Sequence, residues 1–178
     1  MSISRKELFQ GLKKQLEEKR EIETEREKRH IQYTKKVKDE LPREVNKLID
    51  MFHSACESPL EVEVKEKSVG LRWAYEGKSA GEVIVKYLKI KFMDRFIELD
   101  LHPDLGYIGA TAKIDFKTNA PGIRSKLPFM DRQGFFIKIG YTADEPNRVF
   151  FITDKANKSF DVTEETVLEV LKAVFSAE

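Results

Sequence analysis

The chain has 178 residues, 40% of them hydrophobic and 35% charged, with 32 Lys+Arg against 31 Asp+Glu and a formal net charge of +1. That length supports one domain with a sizeable core plus an appendage, and the near-neutral balance excludes the basic character that draws a protein to nucleic acid or acidic membranes. A single cysteine, Cys56, excludes an intramolecular disulfide; with no apolar leader behind Met1 and no run near the roughly 18 apolar residues of a membrane helix, the chain reads as cytoplasmic, with no membrane partner.

The first element is a charged helical arm. Ser4 and Glu7 form a capping box, since the serine oxygen can accept from the Glu7 amide while the glutamate reaches back, so helix is predicted from about Arg5. Leu8, Leu12 and Leu16 recur every fourth residue with Phe9 beside them and make a short apolar stripe. From Glu17 to His30 only Ile22 is strongly apolar, too little for a heptad seam or for a place in a core. Pairs such as Glu25 with Lys28 support the helix by about 0.2–0.5 kcal/mol each, and repulsions such as Glu17 with Glu21 take away as much.

Pro42 disfavours helical geometry at Leu41, so the arm is expected to end or kink at about 39–41, with a second helix starting there. Leu41, Val45, Leu48, Ile49, Phe52 and Ala55 give that helix a core face. The domains are thus 1–41, a charged arm protruding from the rest, and 42–178.

From Leu60 the hydrophobic period falls from 3.6 to 2. Leu60–Lys65 and Val69–Tyr75 read as strands joined by a turn at Lys67–Ser68; Glu82–Met93, Phe96–Leu101, Tyr107–Lys117, Gly134–Tyr141 and Arg148–Thr153 follow, with a final short strand or turn at Ser159–Val162. The HPDLG stretch, His102–Gly106, carries turn chemistry. Thr163 is an N-cap with Glu164 and Glu165 in the first turn, and Val167, Leu168, Leu171, Val174 and Phe175 form the apolar face of a last helix. The predicted fold is α+β: an antiparallel meander of about six or seven strands packed against two helices.

Motifs for chemistry are sparse. His53 and Cys56 stand at i, i+3, but there is no other cysteine to complete a zinc site, so no metal and no cofactor are implied. Asp100, His102 and Asp104 beside Glu98 are the densest proton-transfer cluster, yet they sit where a strand meets a Pro-containing turn. GKSAG at Gly77–Gly81 lacks the upstream glycine of a phosphate loop and precedes a strand. No residue is assigned a catalytic role.

The 119–132 connection, NAPGIRSKLPFMDR, is long for a meander. Arg124, Lys126 and Arg132 are its candidate anion-binding residues, and Phe129 and Met130 join Leu8, Phe9, Leu12 and Leu16 as candidate interaction residues. The function read from these features is a non-enzymatic protein-interaction module, an adaptor or small chaperone-like protein, binding a protein partner or itself as a homo-oligomer. One alternative is a domain that binds or hydrolyses a small anionic ligand in a pocket under the 119–132 loop. Another is nucleic-acid binding through Lys86, Lys89, Lys91, Arg95, Lys113, Lys117 and Lys138, which scattered acidic residues oppose.

Overall fold

A computed structural model describes residues 5–74, 77–106, 110–127, 134–152 and 158–176, without the side chain of Arg124. Ser4 of the expected capping box lies outside the described residues. The chain divides into two compact units, Met1–Lys36 and Val37–Glu178.

In the first unit, the helix α1 (Arg5–Ser54) is exposed at every position from Arg5 to Gln32. Its support is local. Lys14 pairs with Glu18 at 3.8 Å and Lys28 with Glu25 at 3.5 Å, and Thr24 Oγ1 donates to the Arg20 carbonyl at 2.8 Å. Tyr33 and Val37 are the first buried positions along the helix.

In the second unit, α1 runs through Pro42 without a break, so the expected end at 39–41 does not occur. Val37, Leu41, Val45, Leu48, Ile49 and Phe52 are all buried. This face holds the backbone helical on both sides of the proline, outweighing one lost amide and the crowding of the Lys38 carbonyl. Phe52 meets Phe135 edge-to-face at 5.7 Å between centroids.

Among the described residues seven strands form one sheet in the order β1-β2-β3-β4-β5-β6-β7: β1 (Glu61–Trp73), β2 (Ser79–Phe92), β3 (Arg95–Leu105), β4 (Thr111–Thr118), β5 (Gly134–Lys138), β6 (Arg148–Ile152) and β7 (Ser159–Asp161). All consecutive neighbours are antiparallel, as the short connections predict. With α1, the short α2 (Ile123–Lys126) and α3 (Glu164–Phe175), the fold is α+β.

The expected turn at Lys67–Ser68 is replaced by unbroken strand, Lys67 facing Val85 and Ser68 facing Ile84. The apolar residues change parity across this stretch: Val62 and Val64 are even-numbered, Val69 and Leu71 odd. β2 changes parity too, burying Val83 and Val85 in one half and Leu88 and Ile90 in the other. The β1–β2 ribbon therefore rolls about its own axis and swaps the side it buries. A bulge between Leu71 and Arg72, opposite Gly81 at φ 95°, marks the distorted end.

The roll also explains a pairing that no local pattern announces. β2 meets β3 only from Leu88↔Leu99 to Phe92↔Arg95; at the far end β1 takes its place, with Arg72 and Trp73 parallel to Asp104 and Leu105. Where β2 leaves β3, the Lys86 amide donates to Asn46 Oδ1 of α1 at 2.9 Å, which covers the opened edge.

The HPDLG stretch is strand up to Leu105, not a turn. Its register against β4 shifts between Leu101 and Leu105, so Pro103 falls where the ladder is already interrupted. The expectation for α3 holds at its N-cap: the Thr163 side chain accepts from the Thr166 amide. Its buried face is Val167, Val170, Leu171 and Val174, whereas Leu168 is 54% exposed. The Arg95 guanidinium donates to the Val174 and Ser176 carbonyls, each at 2.9 Å, and completes the other end.

Candidate interaction surface

The arm presents its stripe to solvent. Leu8 is 54% exposed, Phe9 58%, Leu12 51% and Leu16 50%, and the Arg5 guanidinium lies over the Phe9 ring at 5.9 Å. The four-residue spacing places the leucines along one side of the helix, and the polar run after Glu17 limits the stripe to about three turns. Four large apolar side chains at half exposure on a helix form a surface suited to another apolar helix or groove.

Of the seven cations of the expected basic face, Lys86, Lys89, Arg95, Lys113 and Lys138 are bound to oxygen, while Lys91 and Lys117 are exposed. Lys89 contacts Glu98, Lys67 reaches Asp100 at 2.6 Å, Lys113 reaches Asp115 at 2.9 Å, and Lys138 reaches Glu145 at 2.6 Å. Lys86 turns to Asp50 of α1 at 2.6 Å, and Arg95 is committed to the end of α3. Asp100 and Asp115 face each other across β3 and β4, a repulsion that Lys67 and Lys113 offset. Phe136 and Phe150 stack at 5.7 Å with Arg148 over the Phe150 ring at 5.0 Å.

Electrostatics on this face follow from its contacts. The hydrogen bond from Lys89 holds Glu98 below the usual carboxylate range. Burial first, and then the Glu98 carboxylate, push the Tyr87 phenol up to about 12. The proposed proton-transfer cluster is likewise absorbed into pairing. Asp104 contacts Arg72, which lowers its pKa, and His102 Nδ1 accepts from the Asp104 amide at 3.2 Å.

Of the 119–132 connection, the structure describes 119–127, and Arg132, Phe129 and Met130 lie outside the described residues. The expected irregular loop contains the helical turn α2, which lies against α3. Arg124 and Lys126 both belong to α2; Lys126 is exposed and the Arg124 side chain is not described. Leu127 is buried and Asn119 bridges the Phe96 amide and the Asp94 carbonyl at 3.0 and 2.6 Å, so the described part of the loop is tied down at both ends.

A groove of about 610 Å³ opens elsewhere, between α1 and α3, lined by Lys47, Asp50, Met51, Ser54, Ala55, Glu164 and Leu168. None of these belongs to the 119–132 connection. Sequence reasoning missed the groove because Leu168 was read as part of the core face. The usable signal was that Val167, Val170, Leu171 and Val174 already complete an i, i+3, i+4, i+7 set without it.

His53 is exposed and Cys56 half-buried, and burial pushes the thiol up to about 11, away from reactive thiolate. Among the described residues no group of three or more His, Cys, Asp or Glu is placed to hold a metal, and no helix is long and apolar enough to cross a membrane. No protein-family model, curated protein or solved structure matches the chain.

Proposed function

We propose that this chain is a non-enzymatic protein-interaction module, adaptor-like or chaperone-like, whose helical arm is its association element and whose first partner is a second copy of the arm. The observation that carries this reading is the exposure of Leu8, Phe9, Leu12 and Leu16, on a helix segment exposed at every described position before Tyr33. Burying the exposed halves of four such side chains is worth roughly 3–6 kcal/mol per arm before association costs. That range suits a reversible contact and not a permanent one.

The test is the double substitution Leu12→Glu with Leu16→Glu, followed by sedimentation equilibrium over a concentration series. Both side chains are half-exposed, so the melting temperature should stay within about 2 °C of the wild type. The reading expects association to weaken by tenfold or more, about 1.4 kcal/mol or above. An unchanged association constant would overturn it.

A further inference from the structure

We propose that the free edge of β1 is a second self-association seam, distinct from the arm: the Glu61–Lys67 segments of two copies pair antiparallel about a twofold axis at Val64, joining two seven-stranded sheets into one. β1 begins the strand order, is 13 residues long, and among the described residues its ladder partner over 61–71 is β2 alone. Glu61 and Glu63–Ser68 are exposed, and Val64 is 36% exposed. The opposite edge strand, β7, has three residues. A long uncovered edge strand is a template for another strand.

The order of residues selects the partner. In E-V-E-V-K-E-K, the charges on the odd-numbered side change sign about Val64. Pairing centred on Val64 places Glu61 opposite Lys67 of the second copy and Glu63 opposite its Lys65, and the twofold repeats both contacts. On the even-numbered side Val64 faces Val64, with Val62 opposite Glu66.

Every neighbouring register fails. Centring on Glu63 or Lys65 puts like charges on the axis itself. Centring on Val62 sets Glu61 against Glu63, and centring on Glu66 sets Lys65 against Lys67. Parallel in-register stacking sets every charge against its own copy. Charges on an edge ordinarily discourage pairing; in this order they forbid all of these arrangements and favour one closed dimer.

The present contacts are compatible with that dimer. Glu63 and Lys65 pair along the strand at 2.5 Å, and in the dimer each exchanges that neighbour for the same residue type on the second copy. Lys67 holds Asp100 at 2.6 Å and would add Glu61 of the second copy on its exposed side.

The experiment uses full-length chains carrying Glu63→Lys or Lys65→Glu, each checked for an unchanged melting temperature. Each variant alone sets like charges face to face twice, and its dimer dissociation constant should rise about tenfold or more. An equimolar mixture restores every opposite pair, so native mass spectrometry should show the mixed dimer well above the twofold excess over each homodimer that random pairing gives. A second measurement places Val64→Cys in a Cys56→Ser background. The residue on the axis should oxidise to a covalent dimer because facing strands bring its Cα atoms within disulfide reach, whereas Glu66→Cys should not.

A monomeric wild type at all concentrations, a mixture in which the mixed dimer does not exceed the random ratio of two to one over each homodimer, or equal crosslinking at 64 and 66 would each overturn the seam. The crosslink survives Leu12→Glu with Leu16→Glu, so failure of the arm and failure of the edge are read separately.

Discussion

Replacing Pro42 by alanine should stabilise this protein. Pro42 lies inside α1, where its nitrogen carries no hydrogen for the Lys38 carbonyl and its ring crowds that carbonyl. In a helix interior proline is about 3 kcal/mol less favourable than alanine. The ring is partly buried, so losing it removes roughly 1 kcal/mol of contact at about 0.8 kcal/mol per buried methylene. The net expectation is a gain of about 2 kcal/mol. Urea unfolding followed by far-ultraviolet circular dichroism would show a higher midpoint at unchanged slope. If a helix instead began at Pro42, the proline would sit in a first turn that favours it, and alanine there would be neutral or destabilising. An unchanged or lowered midpoint would therefore refute the continuous, packing-enforced helix.

Two further perturbations probe the core and the outer sheet face. Phe52→Ala empties a fully buried site edge-on to Phe135 and should cost about 3–5 kcal/mol, read as a lowered urea midpoint; a cost under about 1 kcal/mol would mean that α1 does not pack on β5 there. Tyr87 has its pKa raised above the ordinary phenol value, so its share of stability is complete below pH of about 10 and is lost as pH climbs toward about 12. Difference spectra at the phenolate band between wild type and Tyr87→Phe should show this tyrosine ionising late, and ionisation near pH 10 would contradict the burial and Glu98 contact.

What was legible in the sequence was period and punctuation. The core face of α1, the alternation of Ala110, Ala112, Ile114 and Phe116, and the Thr163 cap all follow from local spacing, and the structure keeps them. Errors arose where a distant contact overrode a local preference. Pro42 is held helical by side chains on both sides of it, a tertiary effect that residues 38–42 cannot reveal. The expected Lys67–Ser68 turn stands at a parity change whose cause is the roll of a two-stranded ribbon. Pro103 sits in a strand because the ladder shifts register there, and Arg72 and Trp73 meet β3 only after β2 has left it.

The surfaces divided along the same line. The arm's stripe was readable because exposure there needs no partner to define it. The charges of the outer sheet face were readable only as a list of lysines, since pairing Lys89 with Glu98 and Lys67 with Asp100 requires the register. The β1 edge stayed hidden because the assumed turn cut the strand in two at the positions that make it long.

The central claim is that, among the described residues, the helical arm contributes no buried residue before Tyr33. Tyr33 and Val37 are the first buried positions of α1, so the decisive cut removes residues 1–30 and spares both. Calorimetry of residues 31–178 should show a single cooperative transition within about 4 °C of the full-length chain, since nothing described in the removed segment is buried. Loss of that transition, or a melting temperature lowered by much more, would contradict the account.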